Sequence, residues 1–166
     1  MTTLFHQEII SKVLEVIQNF PNRNALCIEG KYYTYQEFGH YISKIRCRVS
    51  SECCHSIGND GVGLVVNNDI ETYASIFALW LEGKFYVPLH PNQPIDRCMD
   101  IVHQVAISSI LDSSEQTRYT NIDVHNTHQL QYEKDCLTCD DKYADDRLAY
   151  ILFTSGSTGQ PKGVTL

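Results

Sequence analysis

No stretch of this chain is long and apolar enough to cross a bilayer. Its longest apolar run lies around Tyr73 to Leu81, far short of the ~20 residues that a spanning helix needs. No secretory pattern opens it, because Glu8 and Lys12 interrupt the only early apolar stretch. Positive charge is in deficit: 13 Lys and Arg against 20 Asp and Glu leave a net charge of −7. That balance argues against a nucleic-acid surface and against a polybasic membrane anchor. A disulfide framework is missing too. The seven cysteines are odd in number and follow no framework spacing, so reduced thiols in a cytoplasmic protein are expected. Zinc spacing is also lacking. Cys53-Cys54-His55 has no second ligand pair, and Cys136-Leu137-Thr138-Cys139 is one C-x-x-C pair without partners. No metal site is expected. Nor is there an internal repeat or a low-complexity tract.

What is present is globular material. With 43% apolar and 20% charged residues, 166 residues suffice for one domain with a core. Phe5, Ile9, Val13, Val16, Ile17 and Phe20 recur at helical spacing, which predicts a helix over 4–19 stopped by Pro21. Ala25 to Ile28 and Tyr32 to Tyr35 read as a hairpin turning at Glu29-Gly30-Lys31. Thr34 with Glu37 makes a capping box for a second helix, whose inner face is Phe38, Tyr41, Ile42, Ile45 and Val49. Ser50 to Asp60 is loop-like. Gly61 to Val66 reads as a buried strand, and Asn68 with Glu71 as the cap of a helix over 70–82, closed by Gly83. Lys84 to Leu89 is a strand, Ile95 to Val105 a helix, Ile107 to Leu111 a strand and Ile122 to Val124 a brief one. Residues 126–146 read as an acidic surface connection. This alternation predicts an α/β fold: a mostly parallel sheet with helices on both faces, preceded by a small hairpin.

The most legible stretch is the last. Leu148 to Phe153 is an unbroken apolar run, short enough for a buried strand. Thr154 to Gly163 then turns to hydroxyls, glycines, one proline and one lysine. Gly156, Gly159 and Gly163 permit backbone angles that let consecutive N–H groups converge on a phosphate. Thr154, Ser155, Ser157 and Thr158 add four hydroxyls, and Lys162 adds charge. The Walker pattern G-x-x-x-x-G-K-[ST] fails: counted from Gly156, its second glycine falls on Pro161, and Gly163 follows Lys162. Val164-Thr165-Leu166 reads as strand, so the loop is expected between two strands.

The run Thr154-Ser155-Gly156-Ser157-Thr158-Gly159-Gln160-Pro161-Lys162-Gly163 resembles the signature loop of the adenylate-forming synthetases. That superfamily spans acyl-CoA synthetases, luciferases and the amino-acid adenylation domains of peptide synthetases. Leu148-Ala149-Tyr150 is similar to the amino-acid-activating branch, which includes D-alanine–carrier-protein ligases. Tyr33 to Phe38 is similar to the family's first short motif. Gly83, Tyr86-Val87-Pro88-Leu89, Pro91, Pro94 and Arg97 resemble its second, with two departures: Phe85 for a usual Ala, and His90 where an acidic residue is common. His90 is read as a loop residue.

The resemblance implies ATP with Mg²⁺ as cofactors and a carboxylic acid, here an amino acid, as substrate. The acid attacks the α-phosphate, pyrophosphate leaves, and the acyl-adenylate passes to a carrier-protein or CoA thiol. It also implies that Thr154, Ser155, Gly156, Ser157, Thr158, Gly159, Lys162 and Gly163 hold the leaving phosphates. The family's main catalytic lysine is expected in a separate C-terminal domain, so no catalytic residue is assigned here. Residues 1–166 are expected to be the N-terminal part of an adenylation domain, inactive alone, and prone to self-associate through the unpaired sheet edge. The alternatives are a non-catalytic phosphate-binding or interaction module on the same half-fold, and an unrelated nucleotide enzyme with a coincidental loop.

Overall fold

The computed structural model describes residues 5–52, 60–128, 130–131, 137, 148–155 and 161–165. The first helix, α1, is Phe5–Asn19. It buries Ile10 and Ile17, while Phe20 is left outside with the Arg23 guanidinium over its ring. β1 (Asn24–Ile28) and β2 (Lys31–Thr34) form the expected antiparallel hairpin. Tyr35, expected to end the second strand, instead opens α2 (Tyr35–Glu52).

The capping box is present. Thr34 donates its N–H (2.7 Å) and hydroxyl (2.8 Å) to Glu37 Oε2, and Glu37 N–H returns to Thr34 Oγ1 at 3.2 Å. The Thr34 N–H, and then its hydroxyl, hold the Glu37 carboxyl below the usual carboxylate range. Its folded value is therefore depressed, so the stability it contributes is present above the unfolded pKa and lost as pH falls through the folded one. Thr34→Ala is expected to cost about 1 kcal/mol at neutral pH, with a smaller gap in acid. Urea titrations at both pH values check this.

α2 runs two residues beyond Ser50, where a loop was expected to begin; Cys53-Cys54-His55 lies outside the described residues. β3 (Gly61–Val65), α3 (Ile70–Leu81), β4 (Phe85–Leu89), α4 (Ile95–Val105), β5 (Ser109–Asp112) and β6 (Asp123–Asn126) follow. β5 starts two residues later than its β-branched pattern suggests, because α4 ends in a left-handed cap at Ala106 that uses up the first residues. The strands pair in the order β4-β3-β5-β6, all parallel.

Alternation along β3 sorts the core into two layers. Val62 and Leu64 join Ile10, Phe38, Ile42, Ile45 and Leu79 under α1, α2 and α3. Val65 joins Val87, Leu89, Ile110 and the α4 residues Cys98, Ile101 and Val102 on the other face. Helices thus cover both faces, as the alternating pattern predicts. Arg46 of α2 reaches Glu82, just past α3, at 2.7 Å with both side chains buried. Among the described residues no helix is long and apolar enough to cross a membrane. The Cys136 and Cys139 pair falls outside them. Leu137 packs on the first layer, so part of the acidic connection returns to the core.

Candidate phosphate-binding site

An aromatic ladder places the last hairpin. Phe38 meets Phe77 at 5.5 Å, Phe77 meets Trp80 at 5.5 Å, Trp80 meets Tyr86 at 6.3 Å, and Tyr86 meets Tyr150 at 5.6 Å. Trp80 Nε1–H donates to the Ala149 carbonyl at 3.0 Å, which also takes the Tyr86 N–H at 3.4 Å. Tyr86 and Tyr150 form a parallel bridge. The chain after Tyr150 therefore runs beside β4 in the same direction. It becomes β7 (Ile151–Ser155), which leads out at the carboxyl edge of the sheet. Ligands of open α/β sheets sit at that edge.

β7 pairs antiparallel with β8 (Pro161–Thr165) in a separate two-stranded sheet. The register runs Ile151↔Thr165, Leu152↔Val164, Phe153↔Gly163, Thr154↔Lys162 and Ser155↔Pro161. The loop is set between two strands, as expected, but the strands reach further into it than the sequence suggests: Thr154 and Ser155 end β7, and Pro161, Lys162 and Gly163 open β8. Gly156, Ser157, Thr158, Gly159 and Gln160, which complete the loop, lie outside the described residues. The expectation of a buried strand over Leu148 to Phe153 is corrected: β7 starts at Ile151 and is buried on one face only. Ile151 and Phe153 pack on the second core layer, but Leu152 is 42% exposed and Leu148 36%. A two-stranded ribbon can cover only one of its faces.

Of the residues proposed from sequence to meet phosphate, the structure brings two together. Thr154 and Lys162 are cross-strand partners, both exposed, and Thr154 Oγ1 donates to the Lys162 carbonyl at 3.5 Å. Ser155 pairs with Pro161 where the strands open. Gly163 sits inside β8, where its backbone is not called on for positive φ. A Cβ there would stand 3.1 Å from Ile151 Cγ2 and 3.2 Å from Phe153 Cζ. Close packing over the Phe153 ring accounts for this glycine.

A second feature of the carboxyl edge escaped the sequence. β3 and β5 are neighbours from which the chain departs in opposite directions, the switch point of such sheets. There Asn67 Nδ2 donates to Asp112 Oδ1 (3.2 Å) and Ser113 Oγ (2.8 Å), and Ser113 Oγ donates to Asp69 Oδ2 (2.6 Å). Asp69 also caps α3: Thr72 N–H reaches its Oδ1 at 2.8 Å and the Thr72 hydroxyl at 2.7 Å. The expected cap, Asn68 with Glu71, is therefore corrected. Asn68 holds φ 57°, which turns the chain into the helix, and its Oδ1 accepts from Tyr73 OH at 2.7 Å. Two adjacent capping residues are indistinguishable by spacing; the Ser113 contact from β5 selects Asp69. Asp69→Ala is expected to cost about 2 kcal/mol, since it removes a cap and strands the Ser113 and Thr72 hydroxyls. Asn68→Gly should be near neutral, because glycine accepts that φ. Paired thermal melts separate the two.

Residues 13–166 match the family described as AMP-binding enzyme. Among curated relatives, the nonribosomal peptide synthetase sidE of Aspergillus fumigatus is 30% identical over 165 residues, covering 89% of this chain and 7% of its own length. Among solved structures, the N-terminal subdomain of Klebsiella oxytoca NpsA superposes with a TM-score of 0.74 at 25% identity. The match covers 95% of this chain and 41% of that one. A four-domain nonribosomal peptide synthetase bound to AMP and glycine gives a TM-score of 0.75 at 26% identity, over 94% of this chain and 11% of the other. The chain thus spans less than half the length of each of these three proteins.

Proposed function

The chain belongs to the AMP-binding enzyme family, and on that premise we propose that it supplies the polyphosphate-holding part of an ATP-dependent ligase. The reaction is activation of a carboxylic acid as its acyl-adenylate, with release of pyrophosphate. An amino acid is favoured as substrate, since its relatives include peptide synthetases and one of them holds AMP and glycine. Later transfer to a carrier-protein or CoA thiol is part of the same proposal.

One observation carries the reading: a hairpin leaves the carboxyl edge beside β4, with Thr154 and Lys162 paired at its open end. When a carboxylate oxygen attacks the α-phosphorus, negative charge accumulates on the departing pyrophosphate. Lys162, and the Thr154 hydroxyl once it turns away from the Lys162 carbonyl, would hold that charge from one side. In this proposal Ser155, Gly156, Ser157, Thr158 and Gly159 complete the loop around it, while Gly163 lets β8 pack over the Phe153 ring. Among the described residues no cluster of three or more His, Cys, Asp or Glu could hold a metal. Mg²⁺ would then arrive on the nucleotide, held by phosphate oxygens and water, as is usual for that ion.

ATP–pyrophosphate exchange in the full-length protein, with a panel of amino acids, tests the proposal. Amino-acid-dependent exchange is expected. Failure to bind either ATP or pyrophosphate would overturn it.

A further inference from the structure

A small cavity of about 190 Å³ lies where α2, the first turn of α3 and the chain leaving β6 converge. Local bonds bring that chain there. Thr127 N–H donates to the Asp112 carbonyl at 2.9 Å. Asn126 ties two turns together: its Nδ2 donates to the Ser114 carbonyl at 2.7 Å, and its Oδ1 accepts the His128 N–H at 2.8 Å. Thr127 is buried, and Leu130 packs on the first core layer. The cavity wall thus joins His128 to Tyr41 and Lys44 of α2 and to Glu71 of α3.

All four residues are half-buried. The Lys44 ammonium sits over the Tyr41 ring, 4.3 Å from its centroid. Burial, and after it the Asp69 carboxylate that caps α3, pushes the Glu71 carboxyl above its usual value, while His128 and Lys44 act the other way. Burial and then Glu71 push the Tyr41 hydroxyl up. Opposite charges are therefore close enough to feel one another. Yet among the described residues no ion pair within 4 Å joins Glu71 to Lys44 or His128; what they share is the cavity wall. Half-burying charges without direct contact is costly, and a guest that touches both signs offsets the cost.

We infer that this cavity binds a small zwitterion, its ammonium taken by Glu71 and its carboxylate by Lys44 and His128. Volume selects the size: 190 Å³ is the share of about six waters, room for a molecule of about six non-hydrogen atoms such as alanine. Charge selects the class. An anion alone would meet Glu71, with Asp69 close by, and a cation alone would meet Lys44, so each leaves one charge of the wall unmatched. Ile45 and Leu130 give the wall its apolar part. The inference does not rest on the reading of the hairpin.

Calorimetric titration of the whole protein with L-alanine, propionate and ethylamine tests it; the last two are alanine without its ammonium and without its carboxylate. Alanine is expected to bind about tenfold more tightly than either, the share of one charge-assisted hydrogen bond. Glu71→Gln should bring alanine down to the level of propionate, and Lys44→Met down to that of ethylamine. Both replacements keep the side-chain size, and the three-ligand comparison needs no variant. Propionate binding as tightly as alanine would make this an anion site, and ethylamine doing so a cation site; either result overturns the inference. So does an alanine affinity unchanged in both variants, which puts the alanine elsewhere, and so does a protein that binds no alanine.

Discussion

Replacing Lys162 with alanine is expected to weaken ATP and pyrophosphate binding by roughly 10- to 100-fold, the loss of one charged hydrogen bond to phosphate. The side chain is exposed at the mouth of the hairpin, and its cross-strand partner is Thr154. Nothing in the core leans on it, so stability should change by less than about 0.5 kcal/mol. A screened charge loses its hold as salt rises, with a Debye length of about 8 Å at physiological ionic strength. The difference between the two proteins should therefore narrow in high salt, and Lys162→Arg should stay close to the unsubstituted protein. Pyrophosphate titration at two salt concentrations checks all three outcomes. Unaltered affinity in Lys162→Ala would remove Lys162 from the site.

The largest loss of stability is expected at Gly63. It lies in β3, between β4 and β5, and its absent side chain points into the second core layer. A Cβ there would come within 2.9 Å of Ile110 Cγ1 and 3.1 Å of Leu89 Cδ1. Gly63→Val would add two methyls beyond that Cβ in a layer already closed by α4. Overpacking on this scale costs about 3 kcal/mol, or roughly 6–12 °C of Tm for a chain of this length. Differential scanning calorimetry measures it. A melting point within about 2 °C of the unsubstituted protein would mean that α4 can shift outward freely.

Most elements were legible because each is decided by neighbours in sequence. The spacing of Phe38, Ile42, Ile45 and Val49 sets the inner face of α2 wherever the helix lies, and all four are buried. Thr34 and Glu37 are three residues apart, so their mutual capping needs nothing else. Errors arose where a distant contact arbitrates. Asn68 and Asp69 are equally good caps until Ser113 arrives from β5. Leu152 looks like core until β8 turns it to the outside.

The candidate site divides in the same way. Its chemical character lies in the ten residues from Thr154 to Gly163, whose glycines, hydroxyls and lysine point to phosphate without reference to the rest of the chain. Its location does not. That depends on Trp80 and Tyr86 holding Ala149 and Tyr150 against β4, on pairings between residues more than sixty positions apart. Helix caps, periodicity and loop composition are short-range properties and are written in the sequence. Which strands become neighbours, and hence which side chains share an edge, is settled only when the two core layers close over the sheet.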